Sequence, residues 1–170
     1  MQIIKKHILI SITIVCAFFI AWYVVDRADI ADVFFGPDKY SKVLDSTYSS
    51  EQISFTNTVG QSHVFDVLIA DTDELKKRGL GDRNSLGEKE AMLFVFNEDE
   101  KHYFWMKDMN FPIDIVWLNA DKKVIYIERN VATSTYPEVF GPKEKSRYVI
   151  ELNAGISDKV KLQAGDVFNF

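Results

Sequence analysis

The chain has 170 residues, which is enough for one domain of ordinary size and an appendage. Its formal net charge is −5 and no run of Lys and Arg is longer than three residues, so we expect no nucleic-acid partner, which usually requires a basic patch. The single cysteine, Cys16, excludes a disulfide within the chain and leaves the residues after it without thiol chemistry.

An uncharged, mostly apolar run at residues 8–25 predicts a transmembrane helix. At about 1.5 Å per residue it would span roughly 27 Å, close to a thin hydrocarbon core. Lys5 and Lys6 precede the run, whereas Asp26, Asp29 and Asp32 follow it with one arginine between them. The positive-inside rule therefore predicts a signal-anchor over residues 1–26, with the N-terminus in the cytoplasm and the later residues outside the cytoplasmic membrane, periplasmic or extracellular.

A cleaved signal peptide and a lipoprotein signal are the alternatives for this segment. The only A-x-A-like site is Val15-Cys16-Ala17, which lies in the middle of the apolar run. Ile14-Val15 lack the small side chains that a lipoprotein cysteine requires before it. Both observations favour the uncleaved anchor. An uncleaved anchor and a cleaved signal peptide both predict that the rest of the chain is exported.

Residues 27–50 are predicted to form a spacer, because Gly36-Pro37 breaks the chain and four serines dilute the apolar residues. The soluble domain is expected over residues 51–170. At its start, residues 52–59 and 62–70 predict a β-hairpin with a turn at Gly60. Residues 71–79 predict a short helix that Gly79 ends.

Short apolar runs separated by turn residues continue to the C-terminus. They predict strands over residues 91–96, 102–107, 113–118, 123–131 and 147–152, one or two helical turns over 156–162, and a closing segment over 166–170. Seven or eight strands with two brief helices indicate a mostly β fold. We expect a compact barrel-like domain or folded-over sheet after the transmembrane helix.

Common catalytic and metal-binding motifs are missing from the sequence. There is no glycine-rich phosphate loop, no G-x-S-x-G elbow and no H-E-x-x-H. His7, His63 and His102 are the only histidines, and they lack the spacing of zinc ligands. We therefore expect no metal and no cofactor.

Asp114 interrupts an apolar run that predicts a buried strand. A carboxylate buried there needs a cation or a backbone N–H as its partner, and Lys107 and Arg147 are the candidate cations. Two interpretations follow. Asp114 either belongs to a structural ion pair, or it is a ligand-binding or catalytic carboxylate with a perturbed pKa.

Other candidate residues have simpler structural explanations. Arg147 and Glu151 share one face of a predicted strand, and an exposed sheet face explains this polar stripe more simply than a site. Trp105 is expected in the core. Arg78 and Arg83 flank a predicted turn, where solvation explains them as well as anion binding does.

Several motifs occur in one order along the chain: Met92-Leu-Phe-Val-Phe, Phe104-Trp-Met-Lys, Pro112-Ile-Asp-Ile and Glu151-Leu-Asn-Ala-Gly. In these motifs, and over residues 64–170, the chain resembles domain of unknown function 192, a widespread set of small bacterial and archaeal proteins. The resemblance implies a compact, mostly β fold, often exported or anchored, and implies no activity.

The chain departs from this family's pattern at two places. Asp108-Met109 stand where the family usually has Asn-Thr, and Gly81 stands where it commonly has Met. If these positions line a site, the chain binds a ligand different from that of its relatives, or none.

Three classes of function remain. The favoured one is a binding or accessory module for a small polar ligand, such as a sugar or carboxylate, at the cell envelope. The second is a hydrolase of envelope glycans that uses Asp114 and Glu151 as an acid–base pair, and the third is a structural or assembly partner of another envelope protein. The candidate ligand site gathers Trp105, Lys107, Asp114, Arg147 and Glu151, with Arg78 and Arg83 nearby.

Overall fold

A computed structural model describes residues 47–170, which form one seven-stranded sheet with short helices. The strands are β1 (Ser49–Thr56), β2 (Ser62–Ala70), β3 (Glu90–Glu100), β4 (Ile113–Leu118), β5 (Val124–Val131), β6 (Ser146–Asn153) and β7 (Phe168–Asn169). The helical segments are α1 (Asp73–Arg78), a 3-10 turn (Thr133–Thr135) and α2 (Ile156–Lys159).

The order of strands in the sheet is β5-β4-β6-β3-β2-β1-β7. All neighbouring strands are antiparallel except β2 and β3, which are parallel because α1 and the loop after it carry the chain back across the sheet. The sheet curls into a half-barrel. Its two edges approach each other at one end, where Lys123 and Val167 form a single antiparallel bridge.

Each face of the sheet buries its own apolar core. Alternation along β6 sends Ile150 into the core inside the curl, to which all seven strands contribute, and Val149 into the core on the outer face. The outer core lies under the loops after α1 and after β3, which supply buried side chains such as Leu80 and Met106. Because both faces are covered, every residue of β4 is buried.

The mostly β fold is confirmed, and the predicted hairpin of β1 and β2 is present. The predicted strand over residues 102–107 is wrong, because this segment is a loop with one bridge between Phe104 and Phe140. The segment is apolar because its side chains pack on the outer core, and a short apolar run of this length is also typical of a strand. The turn predicted after residue 96 is also absent, because β3 continues to Glu100 with an irregularity in its pairing to β6.

The predicted anchor at residues 8–25, and the spacer before residue 47, lie outside the described residues. Within residues 47–170 no helix has the length and apolar character needed to cross a membrane.

Candidate ligand-binding site

A pocket of about 450 Å³ opens on the outer face of the sheet. We call it the outer-face pocket. It lies between α1 with the turn after it, the 101–109 loop, and the strands β3 and β6. Its lining combines basic, acidic, aromatic and apolar residues: Lys76, Lys77, Arg78, Gly79, Leu80, Gly81, Asp82, Phe94, Phe96, Lys101, His102, Tyr103, Phe104, Trp105, Lys107, Asp108, Met109 and Glu151.

Helix α1 supplies three cations to one side of the pocket. Thr72 caps its start by accepting a bond from the Leu75 N–H, and Gly79 ends it at a positive φ of 55°. The last turn holds Lys76, Lys77 and Arg78, a position where cations complement the partial negative charge of the helix end. The local sequence therefore places three basic side chains on this side of the pocket.

The 101–109 loop forms the opposite side of the pocket. It is tied to the β-sheet because the buried Trp117 donates its indole N–H to the His102 carbonyl at 2.8 Å. Backbone bonds between Phe104 and Phe140, 2.9 and 2.8 Å long, hold its centre. These ties leave Tyr103 and Trp105 at the surface, 57% and 52% exposed.

The Trp117→Phe variant tests this anchoring. We expect the free energy of unfolding to fall by roughly 2 kcal/mol, because the His102 carbonyl loses its donor and a small cavity remains beneath it. Urea unfolding measures the change. The exposed Trp105→Phe control should stay within about 0.5 kcal/mol of the wild type, and an equal loss in both variants would contradict the anchoring role.

Glu151 forms part of the pocket wall from an apolar position on β6. It pairs across the sheet with Met92 on one side and Ile115 on the other, and it is only 5% exposed. Among the described residues, no group hydrogen-bonds its Oε2. Burial raises the pKa of Glu151 from 4.5 to about 8, so the side chain is a neutral carboxylic acid at neutral pH.

His102 adds a second uncompensated polar atom to the same pocket. Its ring stacks on Phe96 with centroids 3.5 Å apart, and its Nε2 has no hydrogen-bond partner within the described part of the chain. Burial is the main cause that lowers the pKa of His102, which favours the neutral imidazole. Buried polar atoms are nearly always hydrogen-bonded, so these two atoms of one pocket need a water, an ion or a ligand as their partner.

The pocket is positively charged although the whole chain is negative. Five cationic side chains line it, against two exposed carboxylates at Asp82 and Asp108 and the buried Glu151. Lys107 lies 3.9 Å from Asp108, with both side chains about half exposed or more, so this pair is well solvated. The net charge of the lining favours an anion.

Asp114 serves the fold and does not line the outer-face pocket. Its carboxylate accepts four hydrogen bonds: from the backbone N–H groups of Asn130, Gly155 and Ser157 and from the Ser157 hydroxyl. The prediction of a cationic partner for Asp114 was wrong, because neither Lys107 nor Arg147 contacts its carboxylate. Arg147 instead pairs with Asp99 at 2.7 Å, and Arg147 also lies outside the pocket lining.

The acid–base pair of Asp114 and Glu151 is wrong as well. In the pairing of β4 with β6, Ile115 stands opposite Glu151, and Asp114 stands opposite Leu152. Side chains of paired residues share a face and neighbours along a strand alternate, so the two carboxyl groups lie on opposite faces of the sheet. They cannot act together on one bond.

Four of the seven predicted site residues meet at the pocket: Arg78, Trp105, Lys107 and Glu151. Trp105 was expected in the core and is exposed, whereas Glu151 was expected on an exposed face and is buried. Arg83 was expected to be solvated and is 6% exposed, with its guanidinium 5.8 Å from the Tyr48 ring centroid. A role of these residues in binding stays a prediction.

Sequence reasoning missed several residues of the pocket, among them Lys76, Lys77, Lys101, His102 and Tyr103. The adjacent lysines at the end of a predicted helix were a usable signal. The loop residues gave none, because they were assigned to a strand. Both departures from the family pattern also line the pocket: Gly81, and Asp108 with Met109.

The two departures from the family pattern are neighbours in the structure, because position 81 lies next to Asp108. A Cβ at position 81 would lie 3.0 Å from the Arg78 carbonyl oxygen and 3.8 Å from the Asp108 Cβ. A side chain there would therefore crowd the turn after α1 and extend toward Asp108. Gly81 keeps this part of the pocket open.

No group of three or more His, Cys, Asp or Glu side chains within residues 47–170 is placed to hold a metal ion.

Residues 55–170 match the family model DUF192, described as Uncharacterized ACR. No curated protein matches the chain.

The solved structures that share the fold include the following two. One, from Sinorhizobium meliloti 1021, is described as a "putative transcription regulator"; it has a TM-score of 0.69 and 26% identity, over 72% of this chain and 94% of that one. The other, a protein of unknown function from Novosphingobium aromaticivorans DSM 12444, has a TM-score of 0.66 and 29% identity, over 71% of this chain and 85% of that one. Neither description names a ligand.

Proposed function

The chain belongs to the DUF192 family of uncharacterised proteins, and we propose that its domain is a binding module for a small anionic ligand in the outer-face pocket. The observation that carries this proposal is the Glu151 carboxyl group, buried in the pocket wall with one oxygen that nothing in residues 47–170 hydrogen-bonds. An unpaired buried polar group costs about 1–3 kcal/mol, and a ligand that pairs with it recovers that cost.

Glu151 supports an anion because it is neutral. A protonated carboxyl group carries one O–H donor, which can bond an oxygen of a carboxylate or phosphate group without charge repulsion. The raised pKa keeps this donor in place at neutral pH. Deprotonation above about pH 8 would replace the donor by a negative charge, so anion affinity should fall there.

The cations of the rim give the pocket its long-range selectivity. Lys76 and Lys77 extend from α1, and Lys101 and Lys107 extend from the facing loop. A pocket with one sign of charge concentrates ligands of the opposite sign and speeds their capture. The local excess of positive charge attracts an anion, although the chain's overall charge of −5 would by itself repel one.

We also propose that the module works outside the cytoplasm, held at the membrane by its N-terminal segment. The support is the sequence of residues 8–25, which is uncharged and long enough to span a bilayer, and the two lysines before it. An envelope location would give the pocket access to imported or surface-bound anions. An additional envelope-protein partner stays a prediction.

Thermal unfolding of the full-length chain tests the binding site. Acetate, inorganic phosphate, citrate and glucuronate serve as probes, and at least one should raise Tm in a saturable manner. A probe at 100 times its dissociation constant stabilises the fold by about 2.7 kcal/mol, which is a rise of several degrees. We expect Glu151→Met to abolish the rise, and Lys107→Gln to weaken the affinity several-fold, because each removes a group that contacts the anion.

Lys123→Gln is the matched control, since Lys123 is exposed and lies outside the pocket lining. It should leave the response unchanged. A response that survives in Glu151→Met, or one that Lys123→Gln weakens as much as Lys107→Gln, would show that the anions bind elsewhere or only through general charge effects. Silence of all four probes would refute an anion site of this chemistry.

A further inference from the structure

We infer that the ligand of the outer-face pocket is an acidic sugar, whose ring lies on Trp105 and whose anionic group lies among the pocket lysines. This inference rests on the proposed function and narrows its ligand class. It comes from three features: an exposed aromatic platform at the rim, neutral hydrogen-bonding groups in the wall, and cations around both.

The platform is an indole ring that the fold holds at the surface without covering it. Trp105 is 52% exposed, while Met106 beside it is buried in the outer core and fixes the backbone. Tyr136 packs against the Trp105 ring at an angle of 66°, with centroids 5.8 Å apart. An edge contact of this kind restrains the indole and leaves ring surface open for a ligand to stack on.

A second exposed ring borders the same side. Tyr103 is 57% exposed and lies against Gly141, where a Cβ would stand only 2.8 Å from the Tyr103 Cδ1 atom. The missing side chain at Gly141 thus lets the Tyr103 ring lie close on the neighbouring loop. Tyr103 and Trp105 both line the pocket, so its aromatic rim is continuous with its polar interior.

A sugar matches this combination better than a simple anion does. One face of a sugar ring presents C–H groups, which pack on an aromatic ring, and its edge carries hydroxyl groups. A hydroxyl group both donates and accepts, so it can pair with the neutral carboxyl group of Glu151 and with the Nε2 of a neutral His102 in either tautomer. The anionic substituent then pairs with the lysines of the rim.

Four probes compared on the full-length chain test this inference by thermal-shift titration: glucuronate, glucose, acetate and AMP. Glucuronate should bind at least tenfold more tightly than acetate, because it adds the ring contact, and more tightly than glucose, because it adds the charge. In Trp105→Ala we expect the glucuronate affinity to fall about tenfold, toward that of acetate, while the acetate affinity stays within twofold. Val59→Ala, at an exposed apolar residue outside the pocket, should change neither affinity.

The outcomes separate this inference from the proposed function. If acetate binds through Glu151 and Lys107 but glucuronate gains nothing over it, the sugar class is wrong and the anion site stands. AMP binding more tightly than glucuronate, with a loss in Trp105→Ala, would replace the sugar by a nucleotide. If none of the three anions binds, the inference fails, and if inorganic phosphate and citrate are silent as well, the proposed function fails with it.

Discussion

The Asp114→Asn variant is expected to lose about 3 kcal/mol of the free energy of unfolding, because hydrogen bonds to a charged acceptor contribute about 1.5–3 kcal/mol each. Asp114 is fully buried and accepts bonds of 2.7–3.1 Å from Asn130, Gly155 and Ser157, which lie near the end of β5 and around the start of α2. An asparagine amide would point an N–H group at one of these donors. Urea unfolding at neutral pH measures the loss.

Asp121→Asn is the control for this substitution, because Asp121 is exposed in the turn between β4 and β5. We expect its stability to stay within about 0.5 kcal/mol of the wild type. Ligand affinity of the folded Asp114→Asn protein should also be unchanged, since Asp114 lies on the opposite face of the sheet from Glu151. A stable variant that has lost binding would return Asp114 to the ligand site.

The second large effect concerns pH and Glu151. Its pKa is about 8 in the folded protein against 4.5 as the ordinary value, so the unfolded chain releases this proton first as pH rises. The contribution of Glu151 to the free energy of unfolding therefore decreases between about pH 4.5 and pH 8 and is constant above and below that window. The total decrease is on the order of 3–5 kcal/mol, at 1.36 kcal/mol for each pKa unit.

Glu151→Gln removes the ionisation while it keeps the shape and a hydrogen-bond donor. We expect the variant and the wild type to be about equally stable near pH 4, and the variant to be more stable by several kcal/mol near pH 8.5. Urea unfolding across this range gives the difference directly. The exposed Glu144→Gln control should show a flat difference, and a flat difference for Glu151→Gln would mean that its pKa is ordinary.

Such a result would also bear on function. A carboxyl group that lowers the free energy of unfolding at neutral pH is a cost of the kind that binding sites carry for their function. At the outer-face pocket that function is the proposed binding of an anion. The ligand and the proton would then stabilise the fold together, because the ligand binds the protonated form of Glu151.

Particular residues show how far sequence patterns reach. The run around Asp114 predicted a buried strand, and the predicted need for a partner was met by backbone N–H groups. The prediction that Lys107 or Arg147 pairs with it was wrong, because the donors come from segments that β4 meets only after the sheet is assembled. The 102–107 segment was predicted to be a strand because it is a short apolar run after turn residues, yet it lies over the sheet as a loop.

The sequence by itself determined where most strands run, that the domain is mostly β, and which family the chain resembles. Only the tertiary structure decided that both faces of β6 are covered, which buried Glu151 and made its pKa unusual. The physical reason is that alternation tells which side chains share a face of a strand, while the loops that cover a face come from distant parts of the chain. The same long-range packing left Trp105 exposed beside the lysines of α1 and thereby formed the pocket.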